Sequence, residues 1–194
     1  MKKLDRAYLD DLTGLGNRRF LIKEVTRKIK EAKLHSQPVS AILIDLDHFK
    51  NINDTYGHSR GDSVLQGFGG FLKGSLRGDD LVFRYGGDEF VCILPNTDYQ
   101  GAVWITRRIM ESCRLREFAR IRLTLSIGIS SFPQNGDSWQ ILFDIADKNL
   151  YSAKRHGRDR IGRDLNSKWD WLQERIFVGR PGELSKMMEL AGPM

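Results

Sequence analysis

Arg84-Tyr85-Gly86-Gly87-Asp88-Glu89-Phe90 lies between two apolar runs, Leu81-Val82-Phe83 and Val91-Cys92-Ile93-Leu94. Short β-branched and aromatic runs on either side of a glycine pair predict two strands joined by a tight turn, since paired glycines supply the positive φ that such a turn needs. The turn sets two carboxylates, Asp88 and Glu89, side by side on a rigid base, where they can hold a divalent metal next to a phosphate. Gly86 and Gly87 leave bare backbone against which a bulky ligand can lie. A Gly-Gly-Asp turn is also a common hairpin closure, so its purpose has to be read from the rest of the chain.

Upstream, Val39-Ser40-Ala41-Ile42-Leu43-Ile44-Asp45 is a continuous apolar run ending in an acid, which predicts a buried central strand. Taken singly, Asp45 is as well explained by a loop starting there. If this strand lies beside the hairpin, Asp45, Asp88 and Glu89 converge, and three carboxylates crowd together cheaply only around a cation. Oxygen ligands of this hardness suit Mg²⁺ or Mn²⁺. Asp47 follows two positions later and falls on the same side as Asp45 if the extended geometry continues.

Asn17 caps a helix predicted to run to about His35, with Phe20, Leu21, Val25, Ile29 and Leu34 near helical spacing. A second helix is expected from Asp62 to about Leu76. It carries Gly67, Gly69, Gly70 and Gly74, each costing about 1 kcal/mol relative to Ala, so packing must hold it. Tyr99 to about Phe118 reads as a helix, Ile121 to Phe132 as an alternating strand, and Ser138 as the cap of a helix to about His156. Strands alternating with helices, two of them in a direct hairpin, predict an α+β fold with helices packed on a mixed sheet.

The 194 residues suit one domain with a tail. Residues 1–9 read as a linker stub, 10–163 as the domain, and 164–194, where the composition shifts around Trp169 and Trp171, as a tail expected to pack as a helix on its own domain. No apolar run approaches the ~20 residues of a membrane span, and the charged start is unlike a signal peptide. Cys92 and Cys113 have no metal-type spacing and read as reduced thiols in a cytoplasmic protein. The net charge of +6 could suit nucleic acid or an acidic membrane, but no basic block stands out except near Lys154 to Arg163, which a polyanionic nucleotide explains equally well. A nucleotide and no nucleic acid is the expected partner.

Asp11-Leu12-Thr13-Gly14-Leu15-Gly16-Asn17-Arg18-Arg19, the segment Asp45-Leu46-Asp47-His48-Phe49-Lys50-Asn51-Ile52-Asn53-Asp54 continuing to Asp62, the hairpin motif, and Ser126-Ile127-Gly128-Ile129-Ser130 together closely resemble the GGDEF family of diguanylate cyclases. Order and spacing agree from about Asp10 to Ile161, roughly four-fifths of the chain.

The resemblance implies a fold related to the polymerase palm and the adenylyl cyclases, an α/β sandwich on a mainly antiparallel sheet of about five strands. It implies condensation of two GTP into cyclic di-GMP and two pyrophosphates. Asp45, the carbonyl of Leu46, Asp88 and Glu89 match metal ligands, with Asp88 also taking the 3′-hydroxyl proton. Asn53 and Asp62 match the guanine readers, and an amide with a carboxylate suits the guanine edge. Helix capping is the plainer use of either residue alone. Lys50, Lys154 and Arg158 match phosphate contacts. Lys154 and Arg158, four apart, share a helix face near its end, and the amides of His48 and Phe49 offer a phosphate cradle at a helix start.

Arg77-Gly78-Asp79-Asp80 resembles the family's product-binding inhibitory site, with Arg77 and Asp80 as the gripping pair; by itself it would be a surface turn with an ion pair. One domain carries one GTP site, so turnover needs a homodimer, which an upstream sensory or dimerisation domain would promote. The rival function is a silent domain of the same family that binds cyclic di-GMP or GTP. Another is a cyclase accepting ATP, against which Asp62 argues because its carboxylate pairs with the guanine N1–H.

Overall fold

A computed structural model describes residues 5–162. The tail assigned to 164–194 lies outside the described residues, as do residues 1–4 and 163.

The apolar run becomes β1 (Val39–Leu46), buried along its whole length. The hairpin supplies β2 (Leu81–Gly86) and β3 (Glu89–Pro95), and β4 (Leu125–Phe132) and β5 (Arg160–Ile161) complete a sheet of order β2-β3-β1-β4-β5. β1 is antiparallel to both neighbours, and β4 pairs with β5 in parallel. A buried central strand must be apolar on both faces, which explains its unbroken hydrophobic run.

Side-chain alternation divides the core in two. Ile42, Ile44, Leu46, Phe90, Cys92 and Leu94 face one side of the sheet, under α2 (Phe49–Tyr56), α3 (His58–Gly74) and α4 (Tyr99–Arg114). Ala41, Leu43, Val91 and Ile93 face the other, under α1 (Arg18–His35) and α5 (Trp139–Arg155). The result is the expected α+β sandwich. On β4 the α5 side is small: an added Cβ at Gly128 would stand 1.9 Å from the carbonyl oxygen of Ala146. That missing side chain lets α5 lie directly on the sheet.

The caps at Asn17 and Ser138 form as predicted, accepting from the amides of Phe20 and Ile141. α3 starts at His58, earlier than the sequence suggests, and Gly57 (φ +83°) separates it from α2. Packing does hold α3, since Val64, Leu65, Phe68, Phe71 and Leu72 are buried and Gly69 makes room for Leu15 and Thr13. α4 stops at Arg114 and β4 begins only at Leu125, because Phe118 and Ile121 bridge each other across a turn at Ala119 and Arg120. The short β5 was not foreseen. Two residues carry too little periodicity to be read.

Residues 5–9 also have structure. Arg6–Tyr8 form a 3₁₀ turn, Leu9 bridges Gly16, and the Asn17 amide donates to the carbonyls of Ala7 and Leu9. Cys92 and Cys113 are buried and free, and burial pushes the Cys113 thiol up to about 12. No helix among the described residues is long and apolar enough to cross a membrane.

Candidate active site

The register of β1 against β3 sets Asp45 opposite Glu89. One position on, the Leu46 amide donates to the Asp88 carbonyl (3.3 Å), so the end of β1 is tied to the hairpin turn itself. The turn residues are Gly87 and Asp88, and of the two glycines only Gly87 takes a positive φ, +51°. Gly86 lies next to a break in the ladder between Arg84 and Gly86. A Cβ on either glycine would meet nothing within 4 Å, so both leave open space above the backbone.

Asp45 is 8 % exposed, and Lys154 on α5 reaches it with Nζ 2.6 Å from Oδ2. Burial raises the Asp45 carboxyl to about 6; Lys154 opposes the rise, and Asp88 and Glu89 reinforce it. Glu89 is also raised, first by burial and then by Asp88 and Asp147, with Lys154 again opposing. Mutually repelling acids of this kind suit a hard divalent cation, and the donor set, with the Leu46 carbonyl beside it, is all oxygen. Among the described residues, however, no three acidic, His or Cys side chains are gathered closely enough to form a metal cluster. Asp45 is instead partnered by Lys154, and the acids expected to converge are present as a cross-strand pair with Asp88 at the adjoining turn.

Arg84, quoted with the motif but given no task by sequence reasoning, braces the turn. Its Nε and Nη2 donate to the Gly87 carbonyl at 3.0 and 2.8 Å, and Nη1 lies 3.2 Å from both carboxylate oxygens of Asp10. Asp10 also accepts from the Thr13 amide (2.9 Å) and hydroxyl (2.7 Å). Burial would raise its carboxyl, but Thr13 and Arg84 together hold it below the usual range. No local pattern links residues 74 positions apart, so sequence reading had no signal for this pair.

Asn53 lies within α2 and Asp62 within α3, so neither caps a helix. Gly61 makes room for Asn53: a Cβ there would stand 1.9 Å from Asn53 Oδ1, so the amide rests on α3 one residue before the exposed Asp62. His48, with φ +60°, is the N-cap of α2 without a side-chain hydrogen bond, and Phe49 is its first residue. The amides of His48 and Phe49 therefore stand at a helix start, with Lys50 exposed next to them.

The helical reading of Lys154 and Arg158 needs correction. α5 ends at Arg155, and Gly157, Arg158 and Asp159 follow with φ of +103°, +60° and +47°. Lys154 is on the helix, whereas the exposed Arg158 is carried by a left-handed turn. Arg77 and Asp80 sit before β2, at the far end from Gly87 and Asp88; a strand of that length separates them by roughly 20 Å. Asp80 Oδ2 accepts from the Arg77 amide (2.9 Å), and burial raises the Asp80 carboxyl. A cleft of about 240 Å³ between the hairpin and α5 is lined by Glu89, Tyr85, Phe143 and Asp147 among others, but by none of the expected guanine or phosphate contacts.

The sequence model of the family described as "Diguanylate cyclase, GGDEF domain" matches residues 7–160. The chain is 42 % identical over 164 residues to the response regulator PleD of Caulobacter vibrioides, covering 81 % of this chain and 36 % of that protein. It is 40 % identical over 158 residues to the diguanylate cyclase DosC of Escherichia coli, covering 79 % of this chain and 34 % of the relative. The chain thus spans about a third of the length of these curated relatives. Among solved structures, the GGDEF domain of DgcB from Caulobacter crescentus, in complex with c-di-GMP, superposes with a TM-score of 0.74 at 29 % identity, covering 84 % of this chain and 95 % of that one.

Proposed function

The chain belongs to the GGDEF-domain diguanylate cyclase family, and on that premise we propose that it condenses two GTP molecules into cyclic di-GMP with release of two pyrophosphates. The observation that carries this reading is the junction of β1 with the hairpin, where Asp45 opposes Glu89, Leu46 is bonded to Asp88, and Lys154 reaches Asp45. A divalent cation of the Mg²⁺ or Mn²⁺ type, held by Asp45, the Leu46 carbonyl, Asp88 and Glu89, would polarise phosphate oxygens and offset their charge.

The protein's own groups do the rest. Asn53 and Asp62 orient guanine, the carboxylate accepting from N1–H and the exocyclic amine. The His48 and Phe49 amides and Lys50 hold phosphate oxygens at the start of α2. Gly86 and Gly87 let the nucleotide lie against the turn. Asp88 accepts the proton of the attacking 3′-hydroxyl as its oxygen bonds to the α-phosphorus of the facing GTP. The bond from that phosphorus to the β-phosphate oxygen breaks, and Lys154 and Arg158 stabilise the charge gathering on pyrophosphate. A second such step closes the ring. Each domain holds one GTP, so the reaction requires two copies face to face.

Arg77 and Asp80 form a separate product site for feedback inhibition, a reading supported by the c-di-GMP bound to the related DgcB domain. Calorimetric titration with cyclic di-GMP tests it: no heat of binding to the folded domain, or binding unaltered by Arg77→Ala, would remove it. For the main reading, the protein is incubated with GTP and Mg²⁺ at a series of protein concentrations and the products are separated by chromatography. Cyclic di-GMP formed at a rate rising faster than linearly with protein is expected. A folded protein that binds GTP and forms no product would sink the enzyme.

A further inference from the structure

Asp47 is 5 % exposed and has no part in the chemistry above. Its carboxylate takes hydrogen bonds from two elements. Thr124 Oγ1, just before β4, donates to Oδ2 (2.8 Å), and Ser126 Oγ, within it, to Oδ1 (2.6 Å). The backbone amide of Asp159 donates to Oδ2 (3.0 Å) from the turn between α5 and β5. A buried carboxylate supplied with donors in this way is satisfied without a cation, which separates Asp47 from Asp45.

The turn it reaches is one that must be held. Arg158 and Asp159 are consecutive non-glycine residues in the left-handed region, a conformation that persists only where surrounding contacts impose it. Asp47 and Arg114 both grip Asp159. Asp47 takes its amide, while Arg114 at the end of α4 lies with Nε 3.0 Å from each oxygen of its carboxylate. On the preceding residue the Arg158 amide donates to the Ala153 carbonyl (3.0 Å), closing the end of α5. The Arg158 side chain is exposed, so the turn fixes the point and angle at which it leaves the backbone.

We propose that Asp47 is a positioning residue: by anchoring the Asp159 amide to the end of β1, it fixes the left-handed turn that presents Arg158 to the nucleotide triphosphate. The proposal rests on the nucleotide-binding reading above. The physical logic is that a buried anion close to the site organises a cation's backbone without neutralising the cation. Lys154, by contrast, is placed by the regular helix and needs no such anchor.

The test is calorimetric titration of the whole chain, with Mg²⁺ present, using 3′-deoxy-GTP, which lacks the attacking hydroxyl and so reports binding without turnover. Asp47→Asn keeps the shape and removes the charge. It is expected to weaken affinity about tenfold and to speed amide exchange at Asp159. In an Arg158→Ala background the same change is expected to cost nothing further, since the two residues act through one contact. Unchanged affinity in a folded Asp47→Asn protein, or losses that simply add, would overturn the proposal, as would unchanged exchange at Asp159. If Asp47→Asn does not fold, Thr124→Val removes only the hydroxyl that shares Oδ2 with the Asp159 amide and is expected to weaken binding about threefold, again only when Arg158 is present; no loss there would overturn the proposal equally. A wild-type chain that binds no 3′-deoxy-GTP removes the nucleotide reading itself, a result distinct from binding that is indifferent to Asp47.

Discussion

Lys154 Nζ lies 2.6 Å from Asp45 Oδ2, so the acid near the end of the central strand is balanced by a cation from α5. Burial nevertheless outweighs this partner and lifts the carboxyl to about 6. Lys154→Met should therefore raise the Asp45 carboxyl further, measured by carboxyl NMR titration of the metal-free protein. The folded value exceeds the unfolded one of 3.8, so the protonated acid is the form the fold prefers. Its contribution to stability is fully present below pH 3.8 and is lost as the pH rises through about 6. Thermal melts of metal-free protein against Asp45→Asn should follow that sign.

Asp88→Ala should abolish turnover, by at least about 10³-fold, while leaving the fold intact. Asp88 is half-buried at the turn, and its backbone carbonyl, which receives the Leu46 amide, survives the change. Chromatographic assay and circular dichroism check the two halves; undiminished activity would sink the assigned chemistry.

Gly61→Ala places a methyl group where Asn53 Oδ1 now rests, at 1.9 Å, and the flexible amide must swing away. The helix itself should gain slightly, since Ala is the better helix former. Steady-state kinetics should show KM for GTP raised about tenfold, the order expected for losing a hydrogen bond in a site, with kcat little altered. An unchanged KM would mean that Asn53 does not read the base.

Asp10→Asn should loosen the brace that Arg84 makes between the N-terminal segment and the Gly87 carbonyl. The Asp10 carboxyl is held below its ordinary 3.8, so its contribution to stability is present above that value and is lost as the pH falls through the lower folded one. Wild type should melt higher than Asp10→Asn at pH 7, and the gap should close in acid. Turnover should fall in the variant at neutral pH, where both proteins remain folded.

Much of this was legible in the chain because it is local. The unbroken apolar run ending in Asp45 read as a central strand, and the glycines between two apolar runs as a hairpin turn. Arg158 was misplaced for a physical reason: the spacing of four from Lys154 suits a helix, but α5 ends at Arg155 and the chain turns left-handed. Arg84 and Asp47 were missed because their partners, Asp10 and Asp159, are remote in sequence. Nothing in a neighbouring residue marks a carboxylate that will receive an amide from another element.

The sequence by itself determined most of the elements and the kinds of groups near the turn, because periodicity, caps and turn residues act over a few neighbours. Tertiary structure decided which groups meet. The antiparallel register of β1 and β3 brought Asp45 opposite Glu89, and the absent side chain of Gly128 let α5 approach until Lys154 reached Asp45. Such meetings depend on how whole faces pack, a property that no short stretch of the chain contains.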